Sequence, residues 1–428
     1  MYPRIKLFIG GLFVLCTVCN LQAATIDSNW IAVEFGQWGQ ASNWNPAIVP
    51  DNDATDNFNV TINADDVDVT LQQDRTINKL DCYGEINFFG TANPILFFAG
   101  EGLTNHGDLD ITGIWLAGDV NNLSGAFLKL NGAEIFDNLY NQNNADIEVW
   151  NEVEADSIEN HGTVVIVSGA DLFAEDGNFV NLNQININGG KCGSEGNPCN
   201  FYNNSGAAIT GWGTLYSEGS FNNNGSVKAQ AGVLRVQCFF TGLTNNGLLS
   251  ADPSSSLQIK PAGDVNNLGT INTVAGDFIV DANLVNSSGA TIQILDGTIA
   301  AKKITQKSGA AFNVYGKIAA ENGLYIETGA TATITGPTSI IGDVTIESGA
   351  TLQIKDGQTL ITGQTVNNGS IELIGGTVIF QGGYSGGGTI PVTTSTDRNH
   401  FDVNSDGIED FEDFASFSES WLWQASWY

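Results

Sequence analysis

The chain has 428 residues, with 47 acidic and 15 basic side chains, so its formal net charge is −32. A surface this acidic repels phosphates and anionic lipids, which argues against nucleic acid as a partner and favours cations, calcium above all. Hydrophobic residues make up 42% of the chain, enough for a substantial core, and 51 glycines beside only 14% charged residues favour turn-rich β structure over helix.

Residues 1–24 are typical of a secretory signal peptide. Arg4 and Lys6 precede the apolar run LFIGGLFVLCTV, and the small residues Ala23 and Ala24 follow it. The run is shorter than the roughly 20 apolar residues that span a bilayer, which disfavours the alternative of a membrane anchor. We therefore expect an exported protein, secreted or at the cell surface, with no transmembrane segment after signal removal.

Residues 25–80 lie outside the repeat described next and are predicted to be an N-terminal cap. Trp30, Trp38 and Trp44 cluster ahead of Pro46 and Pro50. Because a solenoid needs an atypical terminal unit to cover its exposed apolar end, we interpret the tryptophans as cap and core. A sugar-stacking surface is the alternative.

Residues 81–383 contain a repeat of about 20 residues, a period within the range of solenoid proteins. Five turn glycines follow one another at a constant spacing: Gly289, Gly309, Gly329, Gly349 and Gly369. Related turns such as LTNNG and FNNNG recur upstream at less regular intervals, with weak points near Ala145 and Gln184. Self-similarity over this length indicates a solenoid of stacked coils.

Within one repeat, DVTIESGATLQIKDGQTLIT, apolar and polar residues alternate with a period of two, which indicates strands buried on one face. Ser348-Gly349 and Asp356-Gly357 divide the repeat into three short strands, because glycine tolerates the conformations of sharp corners. We predict an all-β fold, a right-handed parallel β-helix with coils of about 20 residues. A leucine-rich repeat is disfavoured, because it would need a helical segment. Asparagines at the corners are expected to form hydrogen-bonded ladders from coil to coil.

The tryptophan-rich opening NW…P…VP…D, followed by glycine- and asparagine-rich coils, resembles bacterial secreted or surface proteins with autotransporter-associated β-strand repeats. The resemblance is compositional and covers most of the chain. It implies a secreted or cell-surface passenger, although the outer-membrane barrel of true autotransporters has no counterpart in this sequence.

The cysteines outside the signal peptide are Cys82, Cys192, Cys199 and Cys238. Cys192 and Cys199 bracket the turn-rich loop GSEGNP, and disulfides persist in exported proteins, so we predict a bridge between them. Cys82 and Cys238 are predicted to be unpaired, because several coils of about 4.8 Å each separate them and bridged Cα atoms lie within about 7 Å.

The segment EVWNEVEADS is the strongest candidate for a catalytic site. If Val153 and Ala155 point inward, then Glu152, Glu154 and Asp156 project outward near Trp150, where paired carboxylates beside an aromatic ring could hydrolyse or hold a sugar. A solvated strand face is the alternative. His106 and His161 occupy NHG turns and are interpreted as corner residues, and no basic residue accompanies the carboxylates as a lyase would require.

Residues 384–398 are predicted to be a flexible linker, and residues 399–428 a calcium-binding loop followed by an amphipathic helix. The sequence DVNSDGIEDFED places oxygen ligands at the spacing of an EF-hand loop, with Gly407 at its sharp turn. The predicted Ca²⁺ ligands are Asp402, Asn404, Asp406, Ile408 through its carbonyl, Asp410 and Asp413.

This loop and helix resemble half of a type I dockerin, which implies calcium ligation and, in the family, binding to a cohesin-like partner. A dockerin has two such units, and position 8 of this loop is Glu409 in place of the usual aliphatic residue. The carry-over therefore extends to the calcium ligands and leaves the cohesin-like or other envelope partner open.

Together these features favour a non-enzymatic structural or adhesive β-helix protein of the cell surface or matrix with a calcium-dependent attachment module. The alternative is a dockerin-tagged polysaccharide hydrolase or lyase, or a carbohydrate-binding accessory protein, with Trp150 as a candidate sugar contact. Fold class by itself does not decide between these functions.

Overall fold

The chain forms a parallel β-solenoid of about 16 turns with almost no helix in the computed structural model, which describes residues 23–53, 55–196 and 199–390. The predicted parallel β-helix is thereby confirmed as an architecture. The predicted EF-hand loop and its helix, and most of the predicted signal peptide, lie outside the described residues. No helix among the described residues is long and apolar enough to cross a membrane.

The bounds of the elements show short strands alternating with longer, bent ones. The first third contains β1 (Ala24–Trp30), β2 (Phe35–Gln37), the 3₁₀ helix η1 (Ala41–Asn43), β3 (Trp44–Asn45), β4 (Asp56–Asn63), β5 (Val67–Leu71), β6 (Arg75–Tyr83), β7 (Glu85–Gly90), β8 (Ile95–Asn105), β9 (Asp108–Thr112), β10 (Trp115–Ala117), β11 (Val120–Asn122), β12 (Phe127–Asn131), β13 (Glu134–Asn141) and β14 (Asp146–Val149). The middle contains β15 (Glu152–Asn160), β16 (Thr163–Ile166), β17 (Asp171–Ala174), β18 (Phe179–Asn181), β19 (Gln184–Ser194), β20 (Phe201–Asn203), β21 (Ala208–Ser217), β22 (Phe221–Asn223), β23 (Ser226–Cys238), β24 (Leu243–Asn245), β25 (Leu248–Ala251), β26 (Ser256–Pro261), β27 (Val265–Asn267) and β28 (Thr270–Val274). The last third contains β29 (Asp277–Val280), β30 (Asn283–Asn286), β31 (Thr291–Ala301), β32 (Lys303–Gln306), β33 (Ala311–Ala320), β34 (Leu324–Ile326), β35 (Thr331–Thr335), β36 (Thr338–Ile341), β37 (Val344–Ile346), β38 (Thr351–Ile361), β39 (Thr365–Asn367), β40 (Ser370–Phe380) and β41 (Tyr384–Ser385).

One coil shows how the repeat folds. In β37 and β38 the residues at alternate positions are buried, including Val344, Ile346 and Leu352, as the period of two predicts. The coil has two strands where three were predicted, because the chain bends within β38 without ending it. The bend lies at Asp356-Gly357, where both residues have positive φ (51° and 77°), so the sequence correctly located the corner.

A ladder of buried asparagines runs along the inside of one corner, as predicted. Ten consecutive side-chain hydrogen bonds of 2.7–2.9 Å link eleven turns through Asn105, Asn122, Asn141, Asn160, Asn181, Asn203, Asn223, Asn245, Asn267, Asn286 and Gln306. Most of these amides also donate to a backbone carbonyl of the next coil, as Asn223 Nδ2 does to Leu248 O at 3.1 Å. Both amide hydrogens are thereby used, which offsets the cost of burying the group.

Rows of apolar side chains fill the rest of the interior. Phe179, Phe201 and Phe221 stack in successive coils with ring centroids 4.7 and 5.1 Å apart. Their row continues with Leu243, Val265 and further aliphatic residues in register. Since each coil stacks on its neighbours, the buried residues of the described part of the chain form one core that is continuous along the axis.

Parallel stacking begins before the predicted repeat domain. Strand β1 pairs in parallel with β4, and β4 with β6, so the predicted boundary at residue 80 falls inside β6. Trp30, Trp38 and Trp44 are at most 5% exposed, and Trp38 stacks on Phe88 at 5.7 Å. Their burial excludes the alternative that they form a sugar-stacking surface.

Candidate functional site

The predicted inward residues around EVWNEVEADS are buried, which places the predicted carboxylates on the outer face of β15. Val153 and Ala155 are at most 1% exposed, while Glu152 is exposed. Glu154 departs from the expectation: it is only 9% exposed and lies in register between Glu134 of β13 and Phe173 of β17. Neighbouring coils therefore cover Glu154, and among these carboxylates only Glu152 is fully accessible to a ligand.

Trp150 lies at the corner just after β14 and is 50% exposed. Lys129 Nζ is 4.9 Å from the centre of its ring, and the same lysine forms an ion pair with Asp110 at 2.5 Å. The ammonium group covers part of one ring face through a cation–π contact and leaves the rest of the indole accessible.

Two further exposed aromatic residues occupy the same row as Trp150, which the sequence alone did not reveal. Trp212 and Tyr315 follow strand positions that are in register with Val149, three and eight turns along the solenoid. Their exposed fractions are 39% and 37%. We call Trp150, Trp212 and Tyr315 the aromatic edge; at about 4.8 Å per turn, the rings are about 14 Å and 24 Å apart along the axis.

Glycines give Trp212 its orientation. A side chain at Gly189 in the preceding coil would overlap the indole ring, and one at Gly232 in the following coil would crowd its Cβ. The indole ring therefore lies against backbone that carries no side chain at Gly189. In the sequence, this site is marked by an aromatic residue with a glycine one coil away. The pair can be recognised only when the register of the strands is known.

An acidic corner surrounds Tyr216 in the coils after β15. Tyr216 OH donates to Glu218 Oε1 at 3.2 Å, and Gly196 N donates to Glu218 Oε2 at 2.9 Å. Burial raises the pKa of Tyr216 to about 12, and the charges of Glu218 and Glu195 contribute to that rise. Among the described residues, no group of three or more histidine, cysteine, aspartate or glutamate side chains is arranged to hold a metal ion.

Cys192 and Cys199 are both free, buried thiols in the structure. Cys192 lies in the core between Leu172 and Leu215, whereas Cys199 Sγ donates to the carbonyl of Glu175 at 3.3 Å. Burial raises the pKa of both thiols, and nearby Asp176 and Glu218 add to the effect at Cys199. The bridge stays a prediction for the exported chain.

Cys82 and Cys238 are also buried free thiols. Cys82 is in register with Asn105, the first member of the asparagine ladder, and burial raises its pKa. Burial likewise raises the pKa of Cys238 to about 12. Thiols held in the protonated form are poor nucleophiles, so neither cysteine is suited to catalysis.

The two histidines in the described part of the chain occupy corners, as their NHG turns predict. His106 follows ladder residue Asn105 and stacks on Tyr83 at 4.1 Å. His161 follows Asn160, and its Nε2 lies 2.5 Å from Glu159 Oε1. Each of them thus has a local partner at its corner, and neither is paired in the sheet register with the candidate carboxylates Glu152, Glu154 and Asp156.

A small polar depression of about 170 Å³ lies near the first coil, lined by Gln37, Trp38, Gly39, Gln72, Gln73 and Arg75. Arg75 Nη1 is ion-paired with Asp51 Oδ2 at 2.8 Å, and Asp51 Oδ1 also accepts from Thr76 N. Trp38 Nε1 donates to Pro50 O at 3.0 Å. These contacts pair Arg75 Nη1 and the Trp38 indole within the protein, whereas Arg75 Nε has no hydrogen-bond partner among the described residues.

Asp402, Asn404, Asp406, Ile408, Asp410 and Asp413 lie outside the described residues, so their ligation of calcium stays a prediction. Comparison of the chain with protein-family models, with curated proteins and with solved structures found no match.

Proposed function

We propose that the chain is an exported, non-enzymatic structural or adhesive rod of the cell surface or matrix. The observation that carries this proposal is the unbroken stacking of coils from β1 to β41, with the asparagine ladder linking the turns from Asn105 to Gln306. A uniform shaft of this kind suits a spacer better than a catalyst. The right-handed coil is part of the proposal, because parallel crossovers favour that hand.

The proposed attachment module is residues 399–428, with Ca²⁺ held by Asp402, Asn404, Asp406, Ile408, Asp410 and Asp413. Hard oxygen ligands at these offsets support calcium over softer metals. A cohesin-like or other envelope protein is the proposed partner. The charge of −32 disfavours nucleic acid in this role.

Calorimetry on the full chain tests the calcium site. We expect one site with a Kd of about 10⁻⁴ M, since a lone loop with aspartate at its last position binds loosely. Asp406→Ala should abolish this binding, while Asp397→Ala, an acidic residue outside the loop, should leave it unchanged. Equal calcium uptake by the wild-type chain and Asp406→Ala would remove the site.

A cell-envelope binding assay tests the attachment. The full chain should bind envelope fractions in millimolar calcium and be released by a chelator, and Asp406→Ala should not bind. A protein that stays unbound with and without calcium would contradict the attachment function, even if calorimetry detects the metal.

A second function, binding of polysaccharide, is favoured by the aromatic edge. Exposed rings aligned along the axis at multiples of the coil rise present flat apolar faces to an extended chain, and such faces stack on sugar rings. We expect Trp212→Ala to weaken binding to a neutral polysaccharide by about tenfold, in line with an anchor residue. Phe240→Ala, which removes a ring that is 62% exposed outside the edge, is the matched control.

A hydrolase or lyase is the alternative enzyme interpretation, with Glu152, Glu154 and Asp156 as its candidate residues. Reducing-sugar and unsaturated-product assays on a polysaccharide panel test it, with Glu152→Gln/Glu154→Gln as the comparison. Turnover by the wild-type chain that this double variant lacks would overturn the non-enzymatic proposal.

A further inference from the structure

The last coil leaves inward-facing apolar side chains uncovered. Val378 and Phe380 are in register with Thr359 and Ile361, which are 0% exposed one coil earlier, yet both are partly exposed. Tyr384 is 39% exposed, whereas Thr365 at the same position of the preceding coil is 0% exposed. We call Val378, Phe380 and Tyr384 the end face. It is the cross-section of the core, which a solenoid must cover to stay soluble.

The edge strand at this end is also incompletely paired within the described part of the chain. The second half of β40, Thr377–Phe380, pairs only with β38 there. The first half receives the outgoing chain, since Ile371 N donates to Thr389 O at 2.9 Å and Ser370 bridges to Thr389. The chain therefore leaves the solenoid beside the end face.

The segment that follows, residues 391–428, has the composition of a cover. Its part from residue 401 onward contains large apolar or aromatic residues suited to burial: Phe401, Phe411, Phe414, Phe417, Trp421, Leu422, Trp423, Trp427 and Tyr428. Residues 391–428 also carry eight acidic side chains and one basic one. The adjoining residues 301–390 contain five of the 15 basic residues and are nearly neutral, with six acidic ones. The acidic segment thus leaves the part of the solenoid that repels it least.

We propose that residues 401–428 fold back and bury the end face of the same chain. Apolar residues of this segment, with Phe411, Phe414 and Phe417 at their centre, cover Val378, Phe380 and Tyr384. The segment from residue 391 is long enough to reach a face that the chain exits beside, and the hydrophobic gain offsets the ordering of the segment.

A second copy of the chain is the competing occupant of the end face. The opposite end of the solenoid also exposes apolar residues, including Val33 at 86% and Phe35 at 62%. Head-to-tail stacking through these two ends would build open filaments, and each added copy would bring a further −32 of charge into contact. The acidic rod therefore favours the intramolecular cover.

Hydrogen exchange on the full chain tests the proposal from the side of the segment. In Phe411→Ser/Phe414→Ser/Phe417→Ser, we expect the amides of Gly376–Phe380 to exchange about tenfold faster than in the wild-type chain, because local opening becomes easier. Ser416→Ala/Ser418→Ala/Ser420→Ala changes three polar residues of the same segment and should leave exchange unchanged. The amides of β5, at the other end, should be the same in all chains.

Limited proteolysis tests the proposal with a substitution in the end face. Phe380→Asp should accelerate chymotryptic cleavage within residues 401–428 by about tenfold, whereas Ile341→Asp, which alters a residue 42% exposed away from the end face, should not. Equal exchange in the triple phenylalanine variant and the wild-type chain would overturn the proposal. A chain that is a dimer by mass, and whose end-face amides lose their protection from exchange on dilution, would also overturn it. The proposal does not depend on calcium ligation, so calorimetry and these assays can fail separately.

Discussion

One buried row of the solenoid is filled in two different ways, by the asparagine ladder in most turns and by isoleucine at Ile326 and Ile346. From Asn105 to Gln306 the buried side chains form a chain of hydrogen bonds, whereas Ile326 and Ile346 are 0% exposed and pack by apolar contact. Either hydrogen-bonded amides or packed apolar side chains can therefore fill this corner. Each ladder residue depends on its two neighbours, because one amide donates to the next, while each isoleucine needs only apolar surroundings.

Turns within the ladder also differ from one another in why they require glycine. At Gly247 an added Cβ would overlap the carbonyl oxygen of Gly225 in the coil below, so close stacking excludes a side chain. At Gly289 there is open space, but φ is +82°, which disfavours any residue with a Cβ. Turns that look alike in sequence are therefore constrained by packing in one case and by backbone conformation in the other.

The largest effect is expected from breaking the ladder at its middle. Asn223→Ala removes the bond accepted from Asn203 Nδ2 at 2.7 Å and those donated to Asn245 Oδ1 and Leu248 O. Since buried partners are left unsatisfied on both sides, the free energy of local opening should fall by about 3 kcal/mol. Hydrogen exchange of the β20, β22 and β24 amides measures it, because solenoids open locally.

Asn224→Ala is the matched control for this prediction. Asn224 is the next residue, but it is exposed, and its side-chain oxygen accepts from Asn246 Nδ2 at the surface. Its removal should change the opening free energy by less than about 0.5 kcal/mol. Similar losses in both variants would mean that the buried ladder contributes no more than a surface amide pair.

Extending the ladder tests its dependence on neighbours. Ile326→Asn buries an amide beside Ile346 and should cost about 2 kcal/mol. Adding Ile346→Asn provides the missing partner and joins the introduced amides to Asn367, so the double variant should cost less than the sum of the single ones. A double-mutant cycle by hydrogen exchange measures the coupling, and strict additivity would contradict the account of the ladder.

Most of the fold could be predicted from the sequence because the solenoid repeats its local rules. The constant spacing of the turn glycines and the period of two located the strands, and the abundance of corner asparagines predicted the ladder. The regularity weakens where a turn uses another residue: near Ala145 the left-handed position is taken by Asn144, with φ of 58°. Asparagine tolerates that conformation, so the coil continues although the glycine signal is lost.

The surface sites were harder to predict, because they depend on register across coils of unequal length. Trp150 was identified from its local segment, but its alignment with Trp212 requires the pairing of three successive turns. Glu154 was expected on the solvent-facing side, but Glu134 and Phe173 of the neighbouring coils cover it. The pattern of a single strand shows which side of the sheet a residue faces, but not which residues of the adjacent coils lie above and below it.

The two glycine turns should respond differently to alanine. Gly289→Ala places a Cβ at positive φ and should cost about 1 kcal/mol, and Gly289→Asn should restore much of this stability. Gly247→Ala overpacks two stacked backbones and should cost about 2 kcal/mol, which Gly247→Asn would not restore. Thermal unfolding with hydrogen exchange at the two corners separates the cases. Equal rescue by asparagine at both positions would contradict the distinction.

The smallest effect concerns charge, which also divides the solenoid: residues 23–300 carry 33 acidic and seven basic side chains, and residues 301–390 are nearly neutral. Tyr216 lies in the acidic part, and its pKa is raised to about 12 by burial and by Glu218 and Glu195.

An unfolded tyrosine ionises near pH 10, so between about pH 10 and 12 the unfolded state releases a proton that the folded state retains. Stability should therefore fall as pH rises through this window, and Tyr216→Phe should remove that part of the loss. Phenolate absorbance of the wild-type chain minus that of Tyr216→Phe should show one group titrating near pH 12, and Glu218→Gln should lower this midpoint. A difference curve centred at pH 10 would show that neither burial nor the acidic surroundings act on this phenol.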